Sequence, residues 1–303
     1  MIQIAPLQGH TDAAWRHWHN EIYGGGNLYF TPFIRAEHGE MRSRDLRDVT
    51  SPLNDSLRLE PQVIFRDMAE LDLLLSALAE TGVREANLNM GCPFPPQTSK
   101  GRGAGFIPNL EEAAKLKETA RKYPGISLSV KMRLGYKDAD EWRGILPILN
   151  ELPLRFIALH PRIARQQYGG QLDLGQFGDF LRECKAPVVF NGEIKTPEDA
   201  AAVYERFPGI AGIMLGRGLL ARPSLAAEIA GGKEWTPAER IAGMKDFHHE
   251  LLAHYEKVLC GDSQILSKIQ PFWEFAEPEI GHKAWKAIRK ASTLPKYKSA
   301  LIF

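Results

Sequence analysis

"PVVFNGEIKTPEDAAAVYERFPGIAGIMLGRG", residues 187–218, is the stretch that decides the fold. The apolar run from Pro187 to Phe190 ends in Asn191-Gly192-Glu193. Thr196-Pro197 then opens TPEDAAAVYERF, with a hydroxyl at the cap and proline at the first helical position, where its missing N–H is not needed. A second apolar run ends in Gly216-Arg217-Gly218. Strand, capped helix and strand make one β-α-β unit, and its two strands are parallel because a helix carries the chain back between them.

The same rhythm extends towards the N-terminus. Apolar runs stand at 4–8 (IAPLQ), 27–33 (NLYFTPF), 61–66 (PQVIFR), 85–91 (EANLNMG), 126–134 (ISLSVKMRL) and 155–161 (RFIALHP). With 187–193 and 212–218 they give eight strand candidates, most of them followed by a helical pattern. Asp67 to Thr81 places apolar residues three and four apart. Asn109 to Tyr123 opens on an Asn cap with an acidic first turn and closes on basic residues, as the helix dipole prefers. The spacing predicts a (β/α)8 TIM barrel over residues 1–232. A doubly wound open sheet is the alternative, but it needs fewer strands, and no Gly-x-Gly-x-x-Gly turn follows the first one. After Gly231-Gly232 the pattern is helical only, which predicts a small all-helical C-terminal domain over residues 233–303.

The chain of 303 residues is 44% hydrophobic and 25% charged, an ordinary globular composition with room for a large core. Lys+Arg number 38 against 37 Asp+Glu, so the total predicts no partner. From Ser263 to Phe303, seven Lys/Arg stand against three Asp/Glu, a net of +4, which leaves −3 for the remainder of a chain carrying +1. A basic tail hints at a polyanion, and a solvated helical face accounts for it about as well. Three cysteines are too few for a disulfide framework. The N-terminus lacks the basic start and apolar run of a secretory signal, and no 18-residue apolar stretch occurs. These features predict a cytoplasmic protein without a membrane partner, acting as a monomer.

Active sites of barrels sit where strands end. Polar residues recur there: Gln62, Asn89 before Gly91-Cys92, Lys131 and Arg133, His160 before Arg162, Asn191 before Gly192-Glu193, and Arg217 between two glycines. Such side chains inside short apolar strands are costly without a partner, so their recurrence predicts a shared polar ligand. The glycine turns on the last two strands suit a phosphate. Lys131 has two readings, a Schiff base or a charge that stabilises an electron-rich ring. The neighbouring amides suit a heterocycle better than an open-chain sugar, and flavin mononucleotide (FMN) has both a ring edge and a phosphate.

Ala5-Pro6-Leu7-Gln8-Gly9-His10-Thr11-Asp12 resembles the first-strand A-P-M-x-G-x-T-D signature of the tRNA-dihydrouridine synthases. Asn89-Met90-Gly91-Cys92-Pro93 is similar to that family's N-x-G-C-P, with Gly103-Ala104 following at about the expected distance. Val130-Lys131-Met132-Arg133, His160-Pro161-Arg162, Asn191-Gly192-Glu193 and Gly216-Arg217-Gly218 resemble its V-K-x-R, H-x-R, N-G-(D/E) and G-R-G. The likeness runs in order from residue 4 to about residue 230.

The resemblance implies reduction of specific uridines in tRNA to 5,6-dihydrouridine, with FMN as cofactor and NADPH or NADH as electron donor. Pro6 and Leu7 would lie under the flavin, and Gln62 and Lys131 would bond its pyrimidine edge. His160, Asn191, Gly192, Glu193, Gly216 and Arg217 would hold the ribityl phosphate end. Asn89 would face the uracil, Arg35 and Arg162 would also serve the substrate, and Cys92 would be the proton donor. Three places depart from the family pattern: Pro95-Pro96 stand where a basic and a β-branched residue are common, Ile163 ends H-G-R-T, and Pro32 stands where Glu is frequent. The prolines and glycines after Cys92 are expected to form a loop that closes over the site.

A thiol near its ordinary pKa of about 8.5 is protonated at neutral pH and can act as a general acid. Cys184 and Cys260 are read as small buried apolar residues. His248, His249 and His254 lack a metal-binding spacing and are read as surface histidines. Trp15, His17 and Trp18 are read as packing residues of the first barrel helix. Lys283, Lys286, Arg289 and Lys290 fall three or four apart and form a basic stripe, which the resemblance assigns to RNA phosphates. Two rival readings stay open. One is a flavin barrel acting on a free pyrimidine, like dihydroorotate dehydrogenase. The other is a non-catalytic RNA-binding barrel.

Overall fold

The computed structural model describes residues 1–302. Its main sheet is parallel and closes on itself. The barrel strands are β1 (Ile2–Ile4), β2 (Leu28–Phe30), β3, β4 (Glu85–Met90), β5 (Ser127–Gly135), β6 (Ile157–Ile163), β7 (Val188–Asn191) and β8 (Gly212–Leu215). β3 is split by Pro61 into Leu59–Glu60 and Gln62–Val63. The first half pairs with β2 and the second with β4, so closure runs through the proline. Proline has no N–H for the ladder. The Thr31 hydroxyl compensates locally by accepting Gln62 N at 3.0 Å, and Pro61 O still accepts Asn87 N.

Eight parallel strands with helices outside are the (β/α)8 barrel that the spacing predicts. β1 ends earlier than expected. Ala5 N still donates to Leu215 O, but Pro6 to Gly9 leave the sheet, and Thr11 holds the departing turn through Leu7 N and Leu7 O. Helices form where caps stand. Asp67 caps Met68–Glu80, and Thr196 caps Pro197–Arg206 in a capping box with Asp199. The single helix expected over 109–123 is two, Leu110–Ala113 and Leu116–Arg121, because the ladder tightens to an i−3 bond at Lys115.

The lumen divides into halves. Ala5, Leu28, Phe30, Phe156, Ala158, Val189 and Met214 form an apolar cluster. Across from it, alternate residues of β3 to β5 are polar: Glu60 and Gln62, Asn87 and Asn89, Ser129 and Lys131.

Helix Leu225–Gly231 ends at Gly232, in the left-handed conformation with φ 62°. The long helix Pro237–Val258 comes next, capped by Thr236 and Glu239, and only helices come after it. These helices pack on the barrel through Asp12. Its carboxylate caps the first helix, accepts the Tyr255 hydroxyl and pairs with Lys268 at 2.5 Å. Trp15 is buried in this seam against Phe247, while His17 bonds Leu53 O. His248 is not a surface residue: it is buried and bonded to the Tyr297 hydroxyl at 2.6 Å. Cys260 is exposed and Cys184 half-buried, so neither is a core cysteine. Among the described residues no group of His, Cys, Asp and Glu could hold a metal, and no helix is long and apolar enough to cross a membrane.

Candidate active site

The C-terminal ends of the strands surround a cavity of about 1300 Å³. Pro6, Leu7, Arg35, Gln62, Asn89, Cys92, Lys131, His160, Asn191, Gly192, Glu193, Gly216 and Arg217 all line it. Phe275 and Pro278 reach it from the C-terminal helices. Seven Lys/Arg side chains border it (Arg35, Arg42, Arg44, Lys131, Arg133, Lys195 and Arg217) against one carboxylate, Glu193.

Gln62 sits between two asparagines of β4. Its Nε2 donates to Asn87 Oδ1 at 2.7 Å, and its Oε1 accepts Asn89 Nδ2 at 2.7 Å. Asn89 Oδ1 then accepts the backbone N–H groups of Gly91 (3.0 Å) and Cys92 (2.9 Å). The amide therefore fastens the turn that presents the thiol. Gln62 keeps one N–H and one lone pair, and Asn89 keeps one N–H, without protein partners.

The turn is fixed from the other side too. Gly103 has φ 58°, and a Cβ there would lie 2.8 Å from that of Cys92. Only glycine lets Ala104 N approach to bond Cys92 O at 3.1 Å. The expected loop after Cys92 is a helical turn, Pro95–Thr98, since proline suits the first helical positions. Arg102 pins the segment beyond that turn by a two-pronged pair with Glu70. Phe94 projects, 57% exposed, and Pro95 and Pro96 beside it are exposed as well. Burial pushes the Cys92 thiol up from its ordinary value, against the lowering effects of the Phe94 N–H, Arg133 and Lys131. The thiol is therefore the neutral, proton-bearing form at pH 7.

Lys131 and Arg133 lie on one face of β5, two residues apart. Neither has a carboxylate partner among the described residues. Burial, with the neighbouring Arg133, brings the Lys131 ammonium down to about 8. Burial lowers Arg133 likewise, and its guanidinium bonds only carbonyls, Gly91 O and Ile163 O. Arg133 was legible only as the second residue of the Lys131 face.

At the far wall, burial and three nearby cations hold His160 well below its ordinary pKa, so it is neutral. Its Nε2 lies 3.3 Å from Arg162 Nη1, and arginine only donates, so the ring proton sits on Nδ1. Arg162 itself does not line the cavity. It is 3% exposed, its Nη1 and Nη2 held by Glu193, His160 and Gly170 O while its Nε has no partner, so it stands behind the cavity wall rather than at its surface. Glu193 sits at a left-handed position, φ 49°, and pairs with Arg162, Arg217 and Lys195. Gly218 is required where the last two turns touch, because a Cβ would lie 2.0 Å from Ile194 O. Tyr168 covers Arg217, whose guanidinium lies 3.9 Å from the ring centre. Arg42, Arg44, Tyr168 and Phe275 carried no motif in the sequence.

Lys283, Lys286, Arg289 and Lys290 do not line the cavity. They stand exposed on helix His282–Lys290, with buried Ile288 on the opposite side, and none is in an ion pair among the described residues.

A profile of the family described as dihydrouridine synthase (Dus) matches residues 3–278. The chain is 31% identical over 266 residues to a probable tRNA-dihydrouridine synthase of Staphylococcus epidermidis, covering 84% of this chain and 78% of that protein. It is 32% identical over 229 residues to probable tRNA-dihydrouridine synthase 2 of Bacillus subtilis, covering 73% and 69%. Among solved structures it is similar to morphinone reductase (TM-score 0.54, 10% identity, 78% of this chain and 86% of that chain). It is also similar to a variant of NCR from Zymomonas mobilis (TM-score 0.53, 12% identity, 78% and 87%). At these identities the structural likeness establishes the barrel fold alone.

Proposed function

The chain belongs to the dihydrouridine synthase family of oxidoreductases, and from that premise we propose that it reduces uridines of tRNA to 5,6-dihydrouridine, with FMN in the barrel mouth and NADPH or NADH as electron donor. The observation that carries this reading is the pairing of two desolvated cations that lack carboxylates, the half-buried Lys131 and the buried Arg133, with a protonated thiol at one cavity. A buried charge without a partner is expensive, so an electron-rich ligand is expected beside it.

The donor set fits FMN. Gln62 offers a free N–H and a free lone pair at a ring edge, and Lys131 supplies positive charge next to it. Arg217, Lys195 and the glycine turns at Gly192 and Gly216 suit a phosphate. Arg162 and Glu193 support that end by holding Arg217 and His160 in place. Pro6 and Leu7 form an apolar floor. When bound, the flavin supplies a hydride for uracil C6.

Within the protein, Cys92 gives its proton to C5. The thiolate left behind is stabilised by the nearby charges of Lys131 and Arg133 and regains a proton from solvent. Asn89 keeps the turn rigid and directs its spare N–H at the base, and Arg35 serves the substrate at the rim. Residues 1–232 form the reducing unit, and residues 233–303 bring the tRNA, with Lys283, Lys286, Arg289 and Lys290 against its phosphates. A cytoplasmic monomer fits this role.

The test is anaerobic. Enzyme loaded with FMN and reduced by NADPH is mixed with unmodified tRNA, and flavin reoxidation is followed together with dihydrouridine content. Reoxidation by tRNA and not by orotate or free uracil is expected. Reoxidation by a free pyrimidine alone would replace this reading with the dihydroorotate dehydrogenase-like one, and a protein that takes up no flavin would end both.

A further inference from the structure

The hydrogen bonds that fasten Asn89 and Gln62 continue inward. Asn87 Nδ2 donates to Ser129 Oγ at 2.5 Å, and Ser129 Oγ donates to Glu60 Oε1 at 2.5 Å. The other oxygen of Glu60 accepts Arg155 Nη1 at 3.0 Å. Glu60, Asn87 and Ser129 are fully buried, 0% exposed. From the Cys92 N–H to the Glu60 carboxylate, every donor points the same way.

The direction is dictated by the two ends. A side-chain amide in such a chain has two orientations of similar shape, related by a half-turn. Backbone N–H groups of Gly91 and Cys92 can only donate, so Asn89 must face them with oxygen. An ionised carboxylate can only accept, so Ser129 must donate to Glu60 and accept from Asn87. Both ends demand one arrangement, and the amides between obey it. A protonated or amide side chain at residue 60 can donate to Ser129 instead. The serine hydroxyl then turns towards Asn87, and the reversed half of the chain meets the unreversed half at a mismatched link.

We propose that Glu60 is a positioning residue for the reducing site: as a carboxylate at the far end of the lumen it sets, through Ser129 and Asn87, the orientation of the Gln62 and Asn89 amides, and so the donors and acceptors offered at the mouth. The proposal rests on the functional reading in which Gln62 meets the cofactor and Asn89 the uracil.

The groups facing Glu60 are Ser129, Arg155 and, through the same guanidinium, Glu85, which lies 3.0 Å from Arg155 and is also paired with Arg58. Burial outweighs Ser129 and Arg155 and brings the Glu60 carboxyl up to about 7. The ordered arrangement is therefore complete above that pH and lost below it.

The experiment compares wild type with Glu60→Gln, Ser129→Ala and Glu85→Gln. Two quantities are followed from pH 5.5 to 8.5: anaerobic reoxidation of reduced enzyme by tRNA, and the side-chain amide NMR signals of Gln62 and Asn89 without substrate. In wild type both should change with a midpoint near 7, with reoxidation about tenfold slower on the acid side. Glu60→Gln should be slow throughout and show no midpoint. Ser129→Ala should also lose the midpoint although it keeps the Glu60–Arg155 pair. Glu85→Gln, which perturbs the same arginine outside the chain, should keep a midpoint, moved to lower pH because the Glu85 charge helps to raise the Glu60 carboxyl. Retention of the wild-type profile by Ser129→Ala overturns the proposal, and that variant decides the matter if Glu60→Gln does not fold. If tRNA never reoxidises the wild type, the functional reading fails, and the amide signals still judge the network: signals that titrate in wild type but not in Ser129→Ala support it, and signals that do not titrate in wild type end it.

Discussion

The barrel mouth and the helix His282–Lys290 both gather cations without enough carboxylates, but the physical meaning differs. In the mouth, Arg133 is buried and Lys131 half-buried, and desolvation lowers the pKa of each. On the helix, Lys283, Lys286, Arg289 and Lys290 stand in solvent. A buried unpaired cation destabilises the fold at neutral pH, whereas an exposed one changes stability little. The buried pair is therefore the stronger evidence for a bound partner. The exposed stripe becomes meaningful only beside a polyanionic substrate.

The largest effect expected lies in the mouth. Cys92→Ala should bind flavin and tRNA and still accept electrons from the nicotinamide. It should lose reoxidation by tRNA by a factor on the order of 10²–10⁴, the range for a general acid. Rapid mixing of pre-reduced enzyme with tRNA measures this, and a wild-type rate would place the proton elsewhere.

Replacing Lys283, Lys286, Arg289 and Lys290 by Ala tests the other side of the comparison. Affinity for tRNA should fall on the order of tenfold or more at low salt, and the salt slope should drop by about one for each phosphate that is no longer neutralised. Flavin content should not change. An unaltered salt slope would make the stripe a solvated surface and leave the mouth as the sole cationic site of function.

Lys131→Met separates binding from stability. The Lys131 pKa, down from 10.5 to about 8, means that the unfolded chain holds this proton more tightly than the folded one. The penalty is thus fully present below about pH 8 and fades as pH rises from there towards 10.5. Relieving it should raise the stability of flavin-free protein at pH 7 by about 3 kcal/mol at most, with water in the cavity reducing the gain. The same variant should hold flavin less tightly. In wild type, flavin affinity should weaken as pH rises through about 8. Denaturant melts with and without FMN check both signs, and a loss of flavin-free stability would show that Lys131 has a structural partner.

The smallest effect expected is that of Cys260→Ala. The residue is exposed, and its removal should shift the melt by no more than about 0.5 kcal/mol and leave reoxidation by tRNA unchanged. A loss of activity comparable to that of Cys92→Ala would mean the wrong thiol has been assigned.

The sequence by itself determined the eight strands, most helix starts and the side chains at the strand ends. Those signals are local: a period of two in a strand, a Thr-Pro cap at Thr196, an amide two residues from its neighbour on β4. It also placed Cys92 at the end of β4 without any knowledge of the partners of that strand. Tertiary structure alone decided which polar groups were spent and which left over. Gln62 is held by asparagines 25 and 27 residues away, Ser129 by a carboxylate 69 residues away, and Arg162 is paired with Glu193, 31 residues away. Nothing in the run around Arg162 marks it as a buried strut, and nothing around His248 marks it as a core residue. Hydrogen-bond valence is settled between chain segments that are distant in sequence, so the identity of a donor is legible in the sequence, while its availability to a ligand is decided only when the strands close the barrel.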